Sequence, residues 1–217
     1  MRAAAWLKRA FRPHSRFDPS VGMRRIPSAN IRSYSKPDLD ACRKLYSLNE
    51  PGRFPPGYLN LFTESLESPL YRFLVVESAG KIAAVGGICR TPEVRSGCAL
   101  VFGMVHPEHH KQGFGTAILL ARLAALPRPT DRWWAFLASA GESSKFYERF
   151  GFQYYGRIPI SVASKALDCY RCYLEEAEWD HCGKILAEAN VHLDRNGIDV
   201  PLGPTTPGTS LERTRGR

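Results

Sequence analysis

The chain has 217 residues, of which 44% are hydrophobic and 24% charged, with a formal net charge of +9. That length and balance suit one globular domain with extensions, and no apolar run approaches the roughly 20 residues a helix needs to cross a bilayer. The charge lies at the ends, with nine Lys or Arg against Asp18 in residues 1–36 and three against Glu212 from Thr205 onward; the nearly neutral body argues against a nucleic-acid partner.

Met1–Arg25 is basic, and Ala3–Leu7 is its only apolar patch. It could be an Arg-rich mitochondrial transit peptide, a surface helix touching anionic lipid, or a disordered extension ahead of Met23. The last is carried forward, to residue 28, because Ser-rich composition and periodicity are lacking. Asn30–Tyr34 reads as a short strand, and Lys36-Pro37-Asp38 as a turn before a helix at Asp38–Leu48. Asn49–Gly57, with three prolines and two glycines, reads as a loop. A second helix is expected at Tyr58–Leu66. Arg72–Val76 and Lys81–Cys89 form a hairpin across Ser78-Ala79-Gly80, and Gly97–Val105 is a third β-rich run. An apolar helix at Thr116–Leu126 stops before Pro127 and Pro129.

Arg132–Ala138 is an apolar strand covered on both faces. Ser139-Ala140-Gly141-Glu142 has the form of a capping box, opening a helix that ends at Gly151. Phe152–Ile160 and Lys165–Leu174 complete the sheet, and Glu175–Arg195 reads as an added helix that could cover the sheet or form a homodimer contact. The domain proper is thus 29–174, with the added helix to 197 and a disordered tail at 198–217. The order β-α-α-β-β-β-α-β-α-β-β gives a mixed α/β sheet, not a parallel doubly wound one. Six cysteines without a signal-peptide core point to buried, reduced thiols in a cytoplasmic protein.

The chemistry concentrates where the third β-rich run meets the apolar helix. Gln112-Gly113-Phe114-Gly115-Thr116 places two glycines at a helix N-terminus, where unpaired N–H groups and the helix dipole favour phosphate oxygens. Glycine also lets the backbone approach a ligand closely. The run Gly97–Val105 alternates Cys98, Leu100, Phe102 and Met104 with Ala99, Val101, Gly103 and Val105, and Gly103 suits a bulge or close approach.

Two segments in this order carry a family resemblance. Val105 to Gly115 is similar to an acetyl-CoA motif of the form Q/R-x-x-G-x-G/A, here in the shorter form Gln112-Gly113-Phe114-Gly115 after Lys111. Phe146-Tyr147-Glu148-Arg149-Phe150-Gly151-Phe152 is similar to a helix ending F/L-Y-x-x-x-G-F. With one helix and one strand between them, they resemble the GCN5-related N-acetyltransferase (GNAT) superfamily across residues 29–174. The resemblance implies an acetyl-CoA-dependent N-acetyltransferase in which a small-molecule or peptide amine attacks the thioester directly. It implies cofactor contacts from Met104, Val105, Lys111, Gln112, Gly113, Phe114, Gly115, Thr116 and Ser144, and Tyr147 as the acid that protonates the thiolate. An extended pantetheine arm can pair with a strand edge. A backbone N–H near Met104 or Val105 would face the oxyanion.

The position seven before Tyr147, where relatives often carry Asn, is Ala140, and Gly97–Val105 contains no carboxylate. A general base would come from elsewhere; His106 and Glu50 are the candidates by proximity. The alternative reading is a non-catalytic acyl-CoA-binding module of the same fold. No metal is expected. His106, His109 and His110 are irregularly spaced, and Cys169 and Cys172 lie three apart in a strand, on opposite faces. Arg53 and Arg157 could meet an acidic group on the acceptor.

Overall fold

In the computed structural model the β-rich runs form strands Ala29–Ser33 (β1), Arg72–Ser78 (β2), Lys81–Arg90 (β3), Gly97–Val105 (β4), Trp133–Ser139 (β5), Gln153–Pro159 (β6), Ala166–Leu174 (β7) and Val191–Leu193 (β8). The α-helices are Leu39–Arg53 (α1), Leu59–Glu67 (α2), Phe114–Ala124 (α3), Ser144–Arg149 (α4) and Glu176–Glu188 (α5). The structure describes residues 16–22, 26–54, 57–92, 94, 96–139, 143–159, 166–194 and 199–203. The strands make one sheet in the order β6-β7-β5-β4-β3-β2-β1-β8. β4 pairs β5 in parallel and β1 pairs β8 in parallel; the other neighbours are antiparallel. No helix among the described residues is long and apolar enough to cross a membrane.

Each face of the sheet buries a different core. On one face α3 lies between the strands and α5, and it is apolar nearly all round because it is covered on both sides. Cys182, Ile185 and Leu186 of α5 join this core, and the Trp179 indole donates to the Leu126 carbonyl at 2.9 Å. The added helix therefore covers α3. On the other face α1 and α2 pack through Tyr46, Phe62, Phe73 and Phe102, with Tyr46–Phe62 and Phe62–Phe102 ring centroids 5.3 and 5.2 Å apart. The β2–β3 hairpin turns at Ala79 and Gly80, both at positive φ, as a tight right-twisting connection requires. All six cysteines are buried and none forms a disulfide, and burial pushes the Cys42 thiol up to about 12.

Several boundaries differ from the sequence reading. Helix α1 continues through Asn49 to Arg53, where a loop was expected. The helix expected to reach Arg195 stops at Glu188. Asn190, at φ 55, turns the chain out in the left-handed conformation that Asn tolerates better than most residues, and Val191–Leu193 then pairs with β1. Ser139 ends β5, and α4 starts at Ser144 with Ser143 at its N-cap; Ala140–Glu142 of the expected capping box lie outside the described residues.

Order also reaches beyond the expected domain ends. Phe17 is fully buried, stacked on Phe150 at 5.8 Å and edge-on to Phe152 at 6.1 Å, while its N–H donates to the Tyr173 carbonyl at 2.7 Å. An aromatic side chain gains enough from such burial to anchor a basic segment whose composition alone suggested disorder. At the other end Val200 is buried, and Gly203 donates to the Arg90 carbonyl at 2.7 Å. The remaining calls on residues 1–15 and 204–217 lie outside the described residues.

One ionic knot ties the first strand to the first helix. Arg32 grips Asp38 through both oxygens at 2.7 and 2.8 Å and reaches Glu77 at 2.6 Å, while Asp38 accepts from the Ser35 N–H and hydroxyl. The Arg32 guanidinium holds the Asp38 carboxyl at about 2, below its usual 3.8. A carboxyl held low contributes stability above its unfolded pKa and loses it as pH falls through its folded pKa. We therefore expect urea unfolding to show about 2 kcal/mol vanishing between about pH 4 and about pH 2. The Asp38→Asn variant should lack this contribution at pH 7 and show a correspondingly flatter acid limb.

Candidate active site

The site begins with a ladder that stops short. β4 and β5 pair only at Gly97–Ala99 against Trp134–Phe136, and beyond that point the two strands separate. On its other side β4 slips against β3: Val85 faces Met104 and Gly87 faces Val101, so Phe102 and Gly103 together oppose Gly86. Phe102 takes a φ of 45 to make this bulge. The expected alternation along β4 therefore fails at its centre. Cys98 and Leu100 face the α3 core, but Val101, Phe102 and Met104 face the α1–α2 core, and Val105 returns to the first. A bulge shifts the side-chain period by one residue, which a strict two-residue pattern cannot anticipate. Its location at Gly103 was expected.

The separation opens a cleft of about 780 Å³ that reaches from the start of α3 to the aromatic rings of the α1–α2 side. Met104, Val105, Lys111, Gly113, Gly115, Thr116 and Tyr147 line it. Gln112, Phe114 and Ser144, also expected among the cofactor contacts, are not among the lining residues. The Gln112 side-chain amide donates to the Glu108 carbonyl at 2.7 Å, and the Phe114 side chain is buried in the core beside the His109 ring. Ser143 lines the cleft instead, its hydroxyl 2.6 Å from that of Ser139.

The entry to α3 is built from left-handed backbone. Lys111 has φ 62, and Gly113, the N-cap, has φ 95. This geometry presents the first-turn amides toward the cleft, where they have no carbonyl partner within the helix. Lys111, His109 and His110 stand around the opening, so the local field favours an anion.

At the far wall the half-buried Tyr147 ring packs edge-on to Phe146 and Phe152, 5.0 and 5.6 Å away. Its hydroxyl and the Arg122 cation interact favourably. Sequence reasoning missed Arg122, which is 1% exposed and also lines the cleft. Its Nε donates to the Ile118 carbonyl at 3.2 Å, and one terminal nitrogen reaches the carbonyls of Gly87 and Val101 at 3.4 and 3.5 Å. Burial pulls its pKa below the ordinary arginine value, and Tyr147 acts in the opposite direction. The available signal was a lone charge in the otherwise uncharged run Phe114–Ala124, on the same helix stripe as Gly115 and Ile118.

The opposite wall is apolar and aromatic: Phe54, Tyr58, Leu61 and Phe102. Asn49, nearly fully buried, donates to the carbonyls of Leu45 and Val105 at 2.9 and 3.1 Å, while its Oδ1 has no hydrogen-bond partner among the described residues. No carboxylate appears among the described lining residues. Glu50 and His106 lie outside the lining. Glu50 accepts the Gly57 N–H at 3.0 Å, and His106 Nδ1 accepts that of Glu108 at 3.4 Å. Arg157 is paired with Asp168 at 2.7 Å, and the Arg53 side chain lies outside the described residues.

Residues 69–154, from the approach to β2 into β6, match the family model described as an acetyltransferase (GNAT) domain. Over that stretch the chain is similar to a GNAT acetyltransferase domain. Its fold is that of solved GNAT structures. A GNAT-family protein from Desulfovibrio desulfuricans superposes with TM-score 0.54 at 19% identity, covering 66% of this chain and 98% of that one. The ribosomal-protein-S18-alanine N-acetyltransferase of Escherichia coli gives TM-score 0.51 at 18% identity, covering 68% and 94%. A GNAT-family acetyltransferase from Staphylococcus aureus gives 0.52 at 15%, covering 67% and 99%. No curated protein matches the sequence. The match supports an acyltransferase, and enzymes of the GNAT family generally draw the acyl group from acetyl-CoA.

Within the matched segment the two cradle glycines should respond differently to a methyl group. Gly113→Ala should cost about 1–2 kcal/mol in urea unfolding, because a Cβ is strained at positive φ. Gly115 sits inside α3, and an added Cβ would meet Val105 and Phe146 at ordinary contact distances of 3.6 and 3.7 Å. Gly115→Ala should therefore be neutral or stabilising by up to about 1 kcal/mol.

Proposed function

We propose that the protein acetylates the nitrogen of an amine carried on an apolar or aromatic body, with acetyl-CoA as donor and Tyr147 as general acid. One observation carries this reading: the gap between β4 and β5 joins an anion-favouring helix start to the Tyr147 hydroxyl through a single continuous cleft. The cleft suits the cofactor in each part. The amides of Phe114–Thr116 and the Lys111 side chain would hold the pyrophosphate. The edge of β4 beyond Ala99 would pair with the amide-bearing arm. When bound, the cofactor supplies the acetyl thioester.

The remaining roles fall to the chain's own groups. A backbone N–H at Met104 or Val105 would donate to the thioester oxygen as charge builds there. The Tyr147 phenol would give its proton to the departing sulfur. The buried Asn49 Oδ1 would accept from the attacking nitrogen and orient it. The absence of a carboxylate from the described lining residues disfavours a polycationic acceptor, whereas Phe54, Tyr58, Leu61 and Phe102 offer apolar surface. The buried cysteines, none of them in a disulfide, support a reducing compartment such as the cytoplasm.

Tyr147→Phe should bind acetyl-CoA as the parent does by calorimetry, while amine-dependent CoA release falls by about 10²–10⁴. Failure of the parent to bind acetyl-CoA at millimolar concentration would sink the proposal. Asn49→Leu removes the unpartnered acceptor together with the bonds to the Leu45 and Val105 carbonyls, so its melting temperature should fall modestly. Its kcat/KM for the amine, measured across an acceptor panel, should fall about tenfold, the size of one lost hydrogen bond.

A further inference from the structure

The cleft has a contributor from well outside the matched stretch of residues 69–154. Val21, in the basic N-terminal extension, lines it and is 40% exposed there. A lone exposed valine is ordinary, but this one is tethered to the wall of a cleft. Arg16 bridges Glu175 and Glu178 at 3.3 and 2.7 Å, beside the start of α5. The Phe17 ring is buried against Phe150 and Phe152, and the Asp18 N–H donates to the Phe150 carbonyl at 3.0 Å. The Asp18 carboxylate then accepts the Ser20 N–H at 3.0 Å, bending the chain into the 3-10 turn Pro19–Gly22 that carries Val21 and packs along α5. Val21 is thus in place before a ligand arrives, which lowers the ordering cost of binding.

The tethers also say which part of the cleft Val21 serves. Phe17 belongs to the core on the α3 face of the sheet, whereas the aromatic wall belongs to the α1–α2 core on the other face. Phe146 lies 5.2 Å from the Phe150 ring and stands over the start of α3, where a Cβ added at Gly115 would meet it at 3.7 Å. Arg149 lines the cleft too, its guanidinium 5.5 Å from the centre of the Phe146 ring. The N-terminal segment, α4 and the first turn of α3 therefore surround the mouth of the cleft on the α3 face, beside the anion-favouring helix start.

We propose that Val21 is a binding residue for the nucleoside end of the donor, its methyl groups packing on the apolar face of the base, so that Arg16–Gly22 forms part of the donor site. This rests on the reading of the cleft as the acetyl-CoA site. With the pyrophosphate at the helix start and the arm running inward between β4 and β5, the nucleoside is left on the outer side, on the α3 face where Val21 stands. Valine has a single side-chain torsion, already restricted by its branching, so it makes this contact at little entropic cost.

The test uses the full chain and two donors, acetyl-CoA and S-acetylpantetheine, which carries the same thioester and arm but no nucleotide. Val21→Ala should raise KM for acetyl-CoA about three- to tenfold, the size of one to two lost methyl contacts, with kcat unchanged. Its kcat/KM for S-acetylpantetheine should equal the parent's. Val21→Cys reads the contact directly: the six native thiols are buried, so the new one should be alkylated fastest by iodoacetamide. Saturating acetyl-CoA should slow that alkylation several-fold, and S-acetylpantetheine should leave it unchanged.

Equal changes with both donors, no change with either, or a Cys variant that acetyl-CoA does not protect would overturn the proposal. A turn that serves only the fold would show itself as a lowered melting temperature with both donors affected alike. Should S-acetylpantetheine turn over too slowly to measure, the protection experiment decides alone. A parent that fails to bind acetyl-CoA by calorimetry removes the reading of the cleft itself; a parent that binds while Val21→Cys stays unprotected overturns only the assignment of Val21.

Discussion

The site depends on one broken ladder. β4 and β5 are parallel neighbours, and in a regular sheet their hydrogen bonds would run the length of both strands. Here they stop after Ala99 and Phe136. The backbone groups of β4 past that point face a cleft, not a strand, which costs free energy unless a ligand or water satisfies them. The bulge at Phe102 and Gly103 lies in this unpaired half. It turns Phe102 and Met104 toward the α1–α2 core and leaves Gly103 facing Arg122. One irregularity therefore assigns opposite walls of the cleft to opposite faces of the sheet.

That division accounts for the chemical difference between the walls. On the α3 side the helix is buried beneath α5, so its N-terminus is held rigidly and its amides stay pointed at the opening. Rigid donors need no reorganisation when an anion arrives, which makes them worth more than the same groups on a mobile loop. On the α1–α2 side the wall is made of stacked rings and one buried amide, Asn49. The same Asn49 side chain bonds the end carbonyl of β4, so the acceptor wall is fastened to the strand that carries the donor wall.

Much of this was legible in the sequence, and the rest was hidden for identifiable reasons. Residues Gly97–Val105 were readable as a strand from their apolar run, and Gly113 as a helix entry from its glycine and the stretch that follows. The mixed sheet followed from the element order. Helix α1 ran past its expected end because Asn49 is held by a tertiary bond to Val105 that local turn signals in Asn49–Gly57 do not report. The last strand hid within an apparent helix because its three residues have a partner only in β1, far away along the chain. Phe17 was hidden by its basic neighbours, since composition averages over a window and burial belongs to a single ring. Arg122 escaped notice because helical arginines are ordinarily solvated.

The parallel pairing of β8 with β1 carries a consequence for how the protein is made. Strand β1 leaves the ribosome early, yet one of its edges has no partner until Val191–Leu193 has been synthesised. The outer face of α3 likewise waits for Cys182, Ile185 and Leu186. A nascent chain paused between these points would display an open strand edge beside an uncovered apolar helix, the kind of surface that draws chaperones or invites aggregation. Completion of the fold is thus coupled to the arrival of the last helix and strand, and premature termination anywhere before them would leave a chain that cannot close its sheet.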